Sequence, residues 1–252
     1  MTITGWLHFE LTGLFDLLLP PLCLACRQRG AVDRTTMLCA ECRQELPRYL
    51  GARCRCCALP FAAAAGTHFC AGCLRHPPAF SQIYFHGIYT HLLRDVIHRF
   101  KYQEDISLAR PLGRLLLSTA GEDIDTFRPE VIVPVPLHPA RIRQRCYNQA
   151  LLVARELARN SRCPVPWQAL RRIRPTLSQQ GLPAATRRKN VRGAFAADGQ
   201  HVDGKRVLLV DDVMTTGATL NECARTLRRA GAQQVAAAVV ARVDREPALI
   251  FE

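Results

Sequence analysis

The sequence predicts an α/β fold, a parallel sheet flanked by helices with a metal-binding module in front, and three observations carry that prediction. Val207-Leu208-Leu209-Val210 is an unbroken apolar run that leads into Asp211-Asp212, a Thr/Gly loop, and a helical pattern placing Leu220, Cys223, Ala224 and Leu227 on one face. Such a run is the mark of a strand buried on both faces, as in parallel sheets. Val131-Ile132-Val133-Pro134-Val135-Pro136 and Val235 to Val240 read as two further buried strands, separated from the first by helical patterns. Finally, a Cys-x-x-Cys pair occurs four times before residue 74.

Taken in order, residues 1–22 form a front segment. Trp6 to Leu19 is apolar but broken by Glu10, Gly13 and Asp16, and Pro20-Pro21 stops it. This predicts a short amphipathic helix docked on the next module; its polar face lacks the Lys and Arg of a membrane-surface helix. Residues 23–76 hold Cys23, Cys26, Cys39 and Cys42, then Cys54, Cys57, Cys70 and Cys73, each of the second four lying 31 residues after its counterpart. Two Cys-x-x-Cys turns complete one tetrahedral Cys₄ site, so the repeat predicts two tandem zinc ribbons. Each unit is too short for its own core, and the metal supplies folding energy. Four filled thiolate positions leave no open one, which makes both zinc ions structural. Cys56 is left over, and His68 beside Cys70 reads as a surface residue.

Pro77-Pro78 marks a boundary, and residues 80–252 form the second domain. Ser81 to Tyr89 alternates loosely, as a strand or hairpin. Leu92, Leu93, Val96, Ile97 and Phe100 fall at helical spacing in a helix ending Arg99-Phe100-Lys101-Tyr102, and Leu108 to Leu117 is a second helix. After the strand at 131–136 comes an Arg-rich stretch with Arg141, Arg143 and Arg145, then a helix burying Ala150, Leu151, Ala154, Leu157 and Ala158. Ser178 to Arg192 is polar, Gln/Arg-rich and weakly periodic, which predicts a mobile loop. Cys163 and Cys223 read as ordinary buried small residues.

The chemistry concentrates where the strand at 207–210 ends. A strand–loop–helix unit puts its loop at the carboxyl edge of the sheet, where open α/β folds bind ligands. The helix N-terminus, from Ala218 on, offers unpaired N–H groups, Thr215, Thr216 and Thr219 add hydroxyls, and Gly217 lets the backbone approach closely: a phosphate cradle. Asp211 and Asp212 suit a diol or a hydrated Mg²⁺. Phosphate, diol and metal together describe a sugar phosphate.

This stretch resembles the phosphoribosyl-pyrophosphate (PRPP) motif of type I phosphoribosyltransferases. The resemblance implies that Asp211 and Asp212 contact the ribose hydroxyls, that Thr215 to Thr219 hold the 5′-phosphate, and that PRPP arrives with Mg²⁺. A response-regulator receiver also has a strand ending in Asp-Asp, but near the start of a domain of ~100 residues; only residues 213–252 follow here. In such a transferase the loop after the 131–136 strand holds pyrophosphate, for which Arg141, Arg143 and Arg145 are bidentate donors. The family's flexible loop corresponds to 178–192, where Arg187 and Arg188, with Lys189, neutralise charge on departing pyrophosphate and are the expected catalytic residues.

Pro-Val-Pro-Leu-His-Pro with Asn148-Gln149-Ala150, then Thr176, Gln179, Leu182, Arg187, Asn190-Val191 and Gly193-Ala194-Phe195, narrow the resemblance to the ComF/GntX family. The tandem ribbon and Arg99-Phe100-Lys101-Tyr102 fit as well. The implied fold is a type I phosphoribosyltransferase-like domain behind a double zinc ribbon. The implied role is competence or use of external DNA, with a gluconate connection for one branch. One departure is Cys146-Tyr147, where the family usually has Gly-Phe. Thr215 stands where 6-oxopurine enzymes carry their Asp base, which counts against purine salvage. Thr2, not Cys, follows Met1, which counts against glutamine-dependent amide transfer.

The net charge of +13 is uneven: from Arg141 to Arg192 thirteen cations face one acid, Glu156. Such a field favours polyanions, whether pyrophosphate or a single-stranded nucleic acid held through its backbone. Arg27, Arg29, Arg43, Arg53 and Arg55 add charge to the ribbons, with few aromatics for base stacking. The first cation is Arg27, so a charged signal-peptide start is missing, and no apolar run approaches the ~20 residues of a membrane span. Clustered cysteines then predict the reducing cytoplasm, with metal rather than disulfides, and any link to membrane DNA-uptake machinery would be by association.

Overall fold

The computed structural model describes residues 20–61, 68–176 and 184–244. The expected helix at 6–19 lies outside them. A four-stranded parallel sheet forms the centre, built from β1 (Ile83–Ile88), β2 (Val131–Pro134), β5 (Arg206–Met214) and β6 (Gln234–Arg242) in the order β1-β6-β5-β2. β3 (Leu170–Arg172) and β4 (Phe195–Ala197) pair antiparallel beside it.

The helices are α1 (Ala40–Gln44) and α2 (Ala71–Arg75) in the ribbons, then α3 (His91–Tyr102), α4 (Ala109–Phe127), α5 (Pro139–Arg145), α6 (Gln149–Ser161), α7 (Ala184–Val191), α8 (Gly199–Val202) and α9 (Ala218–Arg229). Among the described residues, no helix is long and apolar enough to cross a membrane.

Side chains alternate across a strand, and both faces of this sheet are covered. Val207 and Leu209, with Val131, Val133 and Val239, face α9 through Leu220, Cys223 and Leu227. Leu208 and Val210, with Ile132 and Ala238, face α3, α4 and α6 through Ile97, Phe100, Leu112, Leu116 and Val153. Gly113 lets α4 and α6 approach closely, since a Cβ there would lie 2.6 Å from Glu156 Cβ.

The two cysteine ribbons divide between the faces. Cys23, Ala25, Leu38, Cys42 and Leu46 join the α3/α4/α6 side, and Cys54, Cys56, Ala58 and Cys73 join the α9 side. Neither ribbon has a core of its own; each borrows one face of the sheet.

Three local readings change. β5 does not stop before the acids but runs through them to Met214, because β6 is equally long and pairs Asp211 with Val239 and Met214 with Arg242. The Arg-rich stretch after β2 is a helix, α5, started by Pro139 and capped by His138, whose ring nitrogen accepts from Ala140 N–H. Part of the expected loop at 178–192 is α7, and residues 177–183 lie outside the described residues. Cys223 is buried as expected; Cys163 is half-buried and its thiol faces Pro129 O at 3.0 Å.

Candidate functional site

The carboxyl ends of β2, β5 and β6 bring the expected residues together. Asp212 is buried, and its Oδ1 lies 2.9 Å from Nζ of Lys101 at the end of α3. Burial works against the Lys101 charge, but Asp212, then Asp211, more than reverse this and hold its pKa above the usual value. Asp211 Oδ1 accepts from the Asp212 N–H at 2.9 Å. Asp211 keeps partial solvent exposure, yet enough protein surrounds its carboxyl that desolvation, followed by the Asp212 charge, raises its pKa to about 7. The two acids therefore differ: Asp212 is locked to an ammonium, while Asp211 faces a small cleft of about 30 Å³ with Thr215, Gly217, Ala218 and Thr219.

The loop geometry fits a phosphate cradle. Gly217 has φ +76°, a left-handed conformation that strains any other residue, and a Cβ there would also have to displace the tip of Met214, whose Cε lies 2.6 Å away. It leads directly into α9, whose first-turn N–H groups lack intrahelical acceptors. Thr215, Thr216 and Thr219 are half-buried around the turn, and Thr216 Oγ1 accepts from Ala218 N–H at 3.4 Å.

Of the three expected pyrophosphate donors, Arg141 and Arg145 are half-buried and Arg143 is exposed. Burial, and then the Arg145 charge, pull the Arg141 guanidinium below its usual value. Arg145 lies over the Tyr102 ring, 4.8 Å from its centroid. Arg187 and Arg188 belong to α7 by backbone; their side chains lie outside the described residues.

Two site residues escaped the sequence reading. Lys101 carries no sequence signal beyond the Arg99-Phe100-Lys101-Tyr102 motif. Arg172, on β3, stacks over Phe195 and is close enough to feel both Arg141 and Asp211; burial, then Arg141, lowers its pKa. A cation in so short and charged a strand carries no periodic signal.

At Cys146 the structure shows what the departure from Gly-Phe costs. It closes α5 with φ +62°, a left-handed position where glycine is at ease and cysteine is strained. Tyr147 uses its extra hydroxyl to donate to Phe100 O, tying this turn to α3.

The cysteines form two compact groups. Within Cys23, Cys26, Cys39 and Cys42, and within Cys54, Cys57, Cys70 and Cys73, all Sγ atoms lie within 4.8 Å of one another. Tetrahedral Zn–S bonds of about 2.3 Å require sulfurs about 3.8 Å apart; Cys26 and Cys39 stand at 4.0 Å, Cys57 and Cys70 at 3.7 Å. Backbone N–H groups aim at the sulfurs in both repeats, Cys39 N to Cys23 and Cys70 N to Cys54, each at 3.3 Å. Burial opposes the charge on Cys23 and Cys54, but these donors bring both thiols to about 7. Both groups therefore fit a structural zinc. Cys56 stays outside, buried, with its thiol 3.6 Å from Phe80 O, and His68 stacks on Phe61 at 4.1 Å.

Comparison with known proteins agrees with this geometry. Residues 14–74 match the double zinc ribbon domain, and residues 146–249 match the phosphoribosyl transferase domain. Competence protein F of Haemophilus influenzae is 33% identical over 224 residues, spanning 84% of this chain and 93% of that protein. The chain belongs to the ComF family. Within it, DNA utilization protein YhgH of Escherichia coli is 34% identical over 223 residues, 87% of this chain and 96% of that protein. Competence protein ComFC of Bacillus subtilis is 27% identical over 226 residues, 83% of this chain and 90% of that protein. The ComF pairing of a double zinc ribbon with a phosphoribosyltransferase domain is thus present here in one chain.

Proposed function

We propose that this protein binds PRPP with Mg²⁺ at the Asp211 to Thr219 edge and acts in the use of external DNA, as the names of its relatives suggest. The observation that carries the reading is the unlike pair of carboxylates, one held by Lys101 and one open to the cleft, directly before a glycine turn and a helix N-terminus. In this reading Asp211 and Asp212 orient the ribose hydroxyls, and Thr215 to Thr219 hold the 5′-phosphate. Arg141, Arg143, Arg145 and Arg172 receive the pyrophosphate, a role that guanidinium geometry suits. Bound Mg²⁺ would offset part of the pyrophosphate charge. Arg187 and Arg188 serve departure of that group if transfer occurs.

The basic surface supports single-stranded DNA as a partner, held through phosphates rather than bases. The ribbons contribute less than their sequence promises, because Arg27 pairs with Asp105 and Arg43 with Asp33. The cytoplasm suits both the thiolate sites and the substrate. Calorimetric titration of PRPP and Mg²⁺, with and without single-stranded DNA and followed by a screen for pyrophosphate release, tests the reading. Binding without release indicates a sensor; release indicates a transferase; no binding refutes the site.

A further inference from the structure

Two arginines of the sheet domain reach out to the cysteine ribbons, and both stand beside the candidate site. On one face, Arg99 donates from Nη1 to Ala25 O and from Nη2 to Leu24 O at 2.8 Å, both carbonyls lying inside the Cys23 to Cys26 turn. Arg99 is two residues from Lys101, the partner of Asp212. On the other face, Arg242 is 2% exposed, and its Nε donates to Ala58 O at 2.8 Å. Ala58 directly follows Cys57, a member of the second cysteine group, and holds a left-handed φ of +55°. The same guanidinium places Nη1 3.4 Å from Thr215 O, the first threonine of the glycine loop, and 3.4 Å from Val243 O. The backbone of Arg242 is in register with Met214, and Val243 N–H donates to Met214 O at 2.9 Å.

We propose that Arg242 is a positioning residue that couples the metal state of the second ribbon to the shape of the Thr215 to Thr219 loop, so that PRPP affinity depends on that ribbon being metallated. This rests on the PRPP reading of the loop. The physical chain is short. A metal on Cys57 fixes the turn that ends in Ala58, and that turn aims the Ala58 carbonyl. The carbonyl orients a buried guanidinium, which in turn restrains Thr215 O at the mouth of the cradle. A planar guanidinium serves two carbonyls in fixed directions at once, and a lysine ammonium does not reproduce this. The second ribbon is then part of the site's scaffold and not only a staple for the chain's front.

The test uses the full-length protein and three readouts: zinc per chain, PRPP affinity by calorimetry, and hydrogen exchange of residues 213–219. Arg242→Met is expected to keep two zinc ions, to weaken PRPP by about tenfold, within the usual range of coupling between sites, and to speed exchange at 213–219 while 206–210 stay protected. Arg242→Lys recovers part of the affinity, and if Arg242→Met does not fold, Arg242→Lys carries the test. Cys73→Ser, which removes one ligand of the second group without altering Arg242 or Ala58, is expected to drop zinc to one per chain and weaken PRPP similarly. Combined with the Arg242 substitution it should add little, since linked residues give non-additive effects. Wild-type PRPP affinity in the Arg242 variants, or fully additive losses in the double variant, would overturn the coupling. If the wild type itself fails to bind PRPP, the reading of the loop is at fault; the exchange measurement needs no PRPP, and unchanged rates at 213–219 in both single variants would refute the role of Arg242 on their own.

Discussion

Lys101 Nζ sits 2.9 Å from Asp212 Oδ1, joining the end of α3 to the acid pair of β5 in a nearly dry setting. One consequence is asymmetry. Two adjacent carboxylates repel, and only Asp212 has the ammonium beside it; at Asp211, burial and then the Asp212 charge raise the pKa to about 7.

Lys101→Met should therefore be costly. It leaves Asp212 buried without its cation, a loss of about 3 kcal/mol, and it should also weaken PRPP. Chemical denaturation of the variant beside wild type measures the first effect. A change below about 0.5 kcal/mol would mean that the pair contributes no more than a surface contact.

Asp211 makes stability depend on pH in an unusual direction. Its folded pKa, raised to about 7, lies above the ordinary carboxylate value, so the folded state binds its proton more tightly than the unfolded one. The contribution of this group is fully present below about pH 4 and is lost as pH rises through about 7. Asp211→Asn should raise the melting temperature most at pH 8 and less at pH 5, by about 2–4 °C for each kcal/mol relieved, while impairing PRPP binding. Equal gains at both pH values would show that charge is not the cause.

Cys146→Gly should stabilise the fold by about 1 kcal/mol, because φ +62° strains a side chain that glycine lacks. Melting curves at fixed pH read this directly. Destabilisation would show that the thiol, 3.6 Å from Glu104 Oε1, contributes more than the strain costs.

Binding of single-stranded DNA, held mainly through phosphates, should weaken steeply with salt, with a slope of about −0.7 in log affinity against log salt per phosphate neutralised. Fluorescence anisotropy with a labelled oligonucleotide across a salt series measures the slope. A slope near zero would remove the electrostatic account.

The sequence was most legible where one local pattern determined one structure. Val207 to Val210, buried on both faces, and the cysteine repeat are such cases. It was less legible where a partner decided the outcome. That β5 continues past Asp212 depends on the length of β6, which no residue of β5 announces. Pro139 and His138 together start α5, a signal readable in principle but hidden by the density of arginines. Lys101 and Arg172 enter the site from α3 and β3, and Arg242 reaches the Thr215 carbonyl from β6; their places exist only once the sheet order brings those elements together. A lone cation in a sequence looks the same whether it faces water or a carboxylate.

The central claim is about location, and a crystal structure of the protein with PRPP and Mg²⁺ tests it most directly. The account predicts the 5′-phosphate at the first turn of α9 within reach of Thr215, Thr216 and Thr219, with the ribose hydroxyls on Asp211 and Asp212. PRPP bound away from the carboxyl ends of β5 and β6, or absent at saturating concentration, would contradict it.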